Sequence, residues 1–122
     1  MTLLGINHVQ ITVPKGQEQA AKEFYCKLMG LQEIEKPEVL KANGGFWLQL
    51  GDIQIHVGTE NGVDRNQTKA HVAYEVQDIE SWRSRLEAAN IALFNSQPIP
   101  GFKRVEFRDP FGNRVELIEK TV

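Results

Sequence analysis

The segment Ile6-Asn7-His8-Val9-Gln10-Ile11-Thr12-Val13 decides the fold, because Ala70-His71-Val72-Ala73-Tyr74-Glu75-Val76 repeats its pattern. In both, apolar and polar residues alternate, which is the period of a half-buried strand. Laying one on the other puts His8 on His71, an offset of 63 residues. The order of elements after each segment also repeats. Pro14, Lys15 and Gly16 end the first strand. Ala20, Ala21, Phe24, Leu28 and Leu31 then recur at helical spacing and predict an amphipathic helix over 17–29, stopped by Gly30. In the second half Asp78 is the expected N-cap, with Ile79, Trp82, Leu86 and Ala89 on one stripe. Phe24 and Trp82 are read as core. Three short strands are expected after each helix: about 32–36, 46–50 and 53–57, then 91–95, 103–108 and 114–119. Gly51-Asp52 is a two-residue hairpin signal, and Asp109-Pro110-Phe111-Gly112 reads as a type I turn. The order is βαβββ followed by βαβββ, an α+β domain over 1–122 with module one at about 4–60 and module two at about 69–119. Few residues are identical between the halves, so the repeat is one of pattern and order.

Composition removes several function classes. Apolar residues are 41% and charged residues 25%, the balance of a globular domain rather than a disordered chain. No apolar run approaches the roughly 20 residues of a membrane span. The first residues carry neither a basic start nor a long apolar stretch, so no secretory signal is expected. Fourteen basic against sixteen acidic residues give a net charge of −2, which argues against nucleic-acid binding. Arg83, Arg85, Arg104, Arg108 and Arg114 read as ordinary surface or pocket charges. A single cysteine, Cys26, fits a reducing cytoplasm and reads as a small helix residue, not a nucleophile.

The three histidines carry the chemistry. His8 falls on His71 when the first strands are superimposed. When the last hairpins are superimposed, Gln54-Ile55-His56-Val57 falls on Arg114-Val115-Glu116-Leu117 and His56 meets Glu116, an offset of 60. Side chains alternate faces along a strand. With Val9, Ile11, Val13, Val72, Tyr74, Val76, Ile55, Val57, Val115 and Leu117 packed toward the helices, His8, His56, His71 and Glu116 share the opposite face. A lone strand histidine is ordinarily packed or solvated, and a lone strand glutamate solvated. The joint placement is what points to a metal. Three imidazoles and a carboxylate suit one divalent transition metal: zinc, nickel, iron(II), cobalt or manganese.

Asn7-His8-Val9, Phe24-Tyr25-Cys26-Lys27-Leu28-Met29-Gly30-Leu31, Ala70-His71-Val72-Ala73 and Arg108-Asp109-Pro110-Phe111-Gly112-Asn113-Arg114-Val115-Glu116-Leu117 resemble the vicinal oxygen chelate superfamily. That is the group of glyoxalase I, bleomycin-resistance proteins, fosfomycin-resistance enzymes, methylmalonyl-CoA epimerase and extradiol dioxygenases. The resemblance runs from about Leu4 to Glu119. It implies two βαβββ modules forming a cupped, open mixed β-barrel with the helices outside. It also implies a metal held from the first and last strands, where His8, His71 and Glu116 match as ligands. His56 occupies the fourth position, where glyoxalase I-like members usually carry Glu or Gln and the epimerases Gln. Histidine there departs from the pattern and removes the carboxylate base that glyoxalase I draws from that side.

The implied chemistry is a metal-dependent, glyoxalase-like lyase or isomerase reaction. Two neighbouring oxygens of a small substrate, an α-keto or α-hydroxy compound or a thiol adduct, would be chelated and a proton moved through an enolate-like intermediate. Glu116 is the candidate catalytic base. Glu75 and Glu106 are weaker candidates, read as surface charges. Gln10, Thr12, Gln54, Trp47, Phe102 and Arg104 are candidate substrate-binding residues. The competing readings are a metal-free, drug-sequestering protein of the bleomycin-resistance type, a fosfomycin-type thiol transferase, and an extradiol dioxygenase. A homodimer in the cytoplasm is expected, with a small-molecule substrate and neither nucleic acid nor membrane as partner.

Overall fold

The computed structural model describes residues 1–121. It divides into two compact units, Met1–Val63 and the chain from Asp64 onward, and each unit holds one sheet. The first contains β1 (His8–Val13), α1 (Glu18–Lys22), β2 (Gln32–Ile34), β3 (Phe46–Leu50) and β4 (Ile53–Thr59). The second contains β5 (His71–Glu75), α2 (Ile79–Ala88), β6 (Leu93–Phe94), β7 (Phe102–Arg108) and β8 (Arg114–Lys120). The βαβββ order therefore occurs twice, as the alternation pattern predicts.

The sheets have the same topology, β1-β4-β3-β2 and β5-β8-β7-β6. First and last strands pair in parallel and the other neighbours are antiparallel. A parallel pair needs a long crossover, and the helix with its two subsequent strands supplies one. The buried set of the first unit is Val13, Ala21, Phe24, Tyr25, Met29, Leu31, Phe46, Leu48, Ile55 and Val57. That of the second is Tyr74, Ile79, Leu86, Val105, Phe107, Val115 and Leu117. In both, these are the alternate strand positions and the helix stripe.

Local structure departs from the sequence reading in four places. The helix expected over 17–29 is α-helical only to Lys22 and continues as a π-helix over Glu23–Leu28. There the Met29 N–H donates to the Phe24 carbonyl at 2.9 Å, an i+5 bond. The wider turn lets two consecutive rings, Phe24 and Tyr25, both enter the core, edge to face at 4.8 Å. Leu31 N–H then reaches the Tyr25 carbonyl at 2.9 Å across Gly30, which sits at φ 82° and closes the helix. Trp82 is half-buried rather than core, with the Arg85 guanidinium 5.7 Å from its ring centre. Strands β2 and β6 are shorter than expected, with only three and two paired residues. Arg108 is a clamp rather than an ordinary charge. Its Nη1 donates to the carbonyls of Arg65, Thr68 and Gly112 at 3.1–3.2 Å, fastening the start of the unit to the turn between β7 and β8.

The predicted N-cap and the predicted turn at Asp109 are both present. Asp78 accepts from Ser81 N–H at the start of α2. Gly112 N–H donates to the Asp109 carbonyl at 3.1 Å, and the buried Asp109 side chain accepts from Phe111 N–H and Asn113 N–H. Leu117 is fully buried on the central strand β8. Leu117→Ala should cost roughly 2–5 kcal/mol and lower the thermal midpoint by roughly 10 °C or more, measured by scanning calorimetry.

Candidate metal and ligand site

Strand register fixes which side chains share the face away from the core. In the first unit His8 lies beside Gln54, and Gln10 beside His56. Across the hairpin Trp47 lies beside His56 and Gln49 beside Gln54. The face therefore carries His8, Gln10, Trp47, Gln54 and His56, as strand parity predicts. His56 is buried between two rings: Trp47 at 3.9 Å and 4°, and His8 at 4.1 Å and 15° between planes. Its Nε2 meets Gln54 Oε1 at 2.9 Å. His8 Nδ1 meets Asn7 Oδ1 at 2.9 Å, which leaves its Nε2 unengaged by that contact. These rings edge a cleft of about 520 Å³ that Gln10, Lys36, Asn43 and Thr59 also line. Lys36, outside the sequence-predicted set, donates to the Gly44 carbonyl. Burial, with the nearby His8 and Lys36, holds the His56 imidazolium below the usual histidine range.

In the second unit His71 lies beside Arg114, Ala73 beside Glu116, and Glu116 opposite Glu106. His71 Nε2 stands 3.0 Å from Glu116 Oε1. The other ring nitrogen, Nδ1, is 2.9 Å from the Lys69 carbonyl. A carbonyl only accepts, so Nδ1 carries the hydrogen. Nε2 and Glu116 Oε1 therefore face each other across a gap that a proton or a cation fills. Glu116 is 4% exposed and Glu106 1%. Arg114 donates to Glu106 Oε2 through Nε at 3.1 Å and Nη2 at 2.5 Å. Arg104 Nη1 lies 3.4 Å from Glu116 Oε1 and 3.5 Å from Glu106 Oε1. Burial pushes the Glu106 carboxyl up, but the Arg114 guanidinium, with the Glu116 and Ser96 side chains, holds the group below the usual range.

The other sequence-predicted residues have varied places. Thr12 donates to Glu60 Oε1 at 2.8 Å. Phe102 is an exposed residue at the start of β7. Arg104 spends Nε and Nη2 on the Gln97 carbonyl, at 3.1 and 2.5 Å, so it anchors the loop before β7. Glu106 is not a surface charge: parity turns it to the face of Glu116, where two guanidiniums enclose it. Its signal was in the sequence, since Val105 and Phe107 flank it as core residues. Glu75 is exposed, as expected. Burial and the neighbouring Glu33 push the Cys26 thiol up, which agrees with a non-nucleophilic cysteine.

A model of the Glyoxalase/Bleomycin resistance protein/Dioxygenase superfamily matches residues 5–117, and the chain belongs to that superfamily. Among solved structures it is similar to a protein from Bacillus anthracis assigned to the glyoxalase family, at 36% identity and TM-score 0.91, covering 99% of this chain and 98% of that one. It shares its fold with lactoylglutathione lyase from Agrobacterium tumefaciens, at 21% identity and TM-score 0.74, over 97% and 95% of the two chains. It also shares it with the fosfomycin resistance protein FosX from Listeria monocytogenes, solved with Mn(II) and sulfate, at 17% identity and TM-score 0.77, over 99% and 94%. No curated protein sequence matches it.

The stacked His56 has a depressed folded-state pKa, so its stability contribution is present above the ordinary histidine value of about 6.5 and is lost as pH falls below it. In an NMR titration of metal-free protein, His56 should protonate below the ordinary histidine range on acidification. The thermal midpoint should drop between about pH 7 and pH 5, and His56→Gln should flatten that drop.

Proposed function

We propose that the chain is a metal-dependent enzyme of the glyoxalase type, a lyase or isomerase acting on a small substrate with two neighbouring oxygens. The observation that carries this reading is the His71–Glu116 contact. The Lys69 carbonyl holds Nδ1, so that Nε2 and a carboxylate oxygen stand 3.0 Å apart. Donors about 2.1 Å from a divalent ion and at right angles to each other are about 3 Å apart. A backbone carbonyl on the second ring nitrogen is also the usual support of a ligating histidine. The residues present therefore fit such an ion. His71 and Glu116 would hold it from the second module. A bound divalent metal supplies Lewis acidity toward the substrate oxygens.

The chain's own residues do the rest. Glu116 Oε1 is the position from which a proton is taken or returned, buried and neighboured by His71 and Arg104. In the first unit, Trp47 and Gln10 give its cleft an apolar wall and an amide. Arg104 holds the loop carbonyl of Gln97 and keeps that loop at the carboxylates. A second reading, a ligand-sequestering protein, is favoured by the stacked Trp47, His56 and His8 rings bordering the cleft, a surface suited to a planar ligand. The homodimer expectation is supported by Leu3, Leu4 and Ile6, which stand 97%, 98% and 69% exposed. The cytoplasm is the proposed compartment. No helix among the described residues is long and apolar enough to cross a membrane.

Untagged protein purified without chelator should contain about one transition metal per chain by elemental analysis. His71→Ala should abolish it while the circular dichroism spectrum stays near native. Protein without metal, even after reconstitution with zinc, nickel, manganese and iron(II), supports the sequestering reading instead.

A further inference from the structure

Glu106 has no task in the proposed reaction, yet it is among the most buried side chains of the chain at 1% exposure. It stands opposite Glu116 across the β7–β8 hairpin. Both donations from Arg114 go to one oxygen, Oε2. The other oxygen, Oε1, is buried and accepts no hydrogen bond of good geometry, with Arg104 Nη1 3.5 Å away and the Ser96 hydroxyl beside the carboxyl. A carboxylate oxygen in that condition costs free energy unless something comes to it. One donor atom each from His71, Glu106 and Glu116 lies within 4.8 Å of the others. The His71–Glu116 pair already has the separation of two neighbouring ligands, 3.0 Å.

We propose that Glu106 is a third ligand of the metal, so that His71, Glu106 and Glu116 form a one-imidazole, two-carboxylate set carried by the second module alone. The proposal rests on the metal-binding reading. Charge permits it. Arg114 offsets one carboxylate through a firm contact, whereas Arg104 reaches both only at 3.4–3.5 Å and keeps its short bond for the Gln97 carbonyl. A divalent cation therefore displaces only the weak contacts. A set with two carboxylate oxygens favours harder ions such as manganese(II), iron(II) or cobalt(II) over those preferring an all-nitrogen site. His56, held between two rings, is not required for ligation.

The test titrates the metal-free, full-length chain with cobalt(II), reading affinity by calorimetry and ligand field by visible absorption. Glu106→Gln should weaken binding at least about 100-fold, more than the loss of a supporting residue, and should shift the cobalt bands. Glu106→Asp should restore much of both, and His56→Gln should leave both as in the unaltered chain. Thermal midpoints of the metal-free variants separate lost ligation from lost folding. If Glu106→Gln fails to fold, Glu106→Asp decides by its cobalt bands, which must match those of the unaltered chain. If Glu106→Gln binds with unaltered affinity and bands while His71→Ala does not bind, Glu106 is no ligand and the metal reading survives. If the unaltered chain binds no cobalt, the metal reading fails and this proposal with it.

Discussion

The parallel pairing of the first and last strand in each module is the constraint on which the rest of the structure depends. It brings residues 43 to 46 positions apart in sequence onto neighbouring backbones: His8 beside Gln54, Gln10 beside His56, His71 beside Arg114, and Ala73 beside Glu116. Parallel strands cannot be joined by a tight turn, so the helix and the two antiparallel strands are at once the crossover and the cover of the core. Because side chains alternate with period two, the same register that buries Val13, Ile55, Val57, Tyr74, Val115 and Leu117 sends every chemically active side chain to the other face. A slip of one residue would bury the polar set and expose the core. Stability and site geometry are therefore one specification.

The two modules use that shared geometry for different physics. The first presents flat rings, Trp47, His56 and His8, stacked face to face beside an open cleft. Stacked imidazoles direct their in-plane lone pairs along nearly parallel planes, an arrangement suited to contact over an area. The second presents charges: two buried carboxylates, two guanidiniums and an imidazole within one hairpin and its parallel neighbour. Taking two carboxylates out of water is costly unless opposite charges come with them, and Arg104 and Arg114 do so from the adjacent alternate positions. Their attachment differs. Arg114 is committed to Glu106, whereas Arg104 is shared among Glu116, Glu106 and the loop carbonyl of Gln97.

Much of this was legible in the sequence, since it comes from patterns local to each strand. The repeat, the βαβββ order, the faces of His8, His56, His71 and Glu116, the Asp78 cap and the turn at Asp109 all come from alternation, spacing and turn chemistry. Three kinds of feature were not legible. The π-turn leaves no mark in a helical stripe that still reads well at Phe24 and Leu28. The tautomer of His71 depends on the Lys69 carbonyl, a backbone atom that every residue has. The burial of Glu106 depends on Arg104, two residues back on its own strand, and on Arg114, which meets it only through the hairpin. Parity placed Glu106 on the correct face, but residue type favoured solvent, and the cross-strand partners decided otherwise.

The wide turn at Glu23–Leu28 bears on how such a chain can change over time. It accommodates one residue more than a regular helix would over the same span, in the manner of an insertion taken up without breaking the helix. Deleting that residue would restore ordinary i+4 bonding but rotate everything beyond it by about 100° about the axis. Tyr25 or Phe24 would then leave the core, and the Gly30 stop would fall out of phase with β2. The turn is thus hard to lose, because two buried rings depend on it.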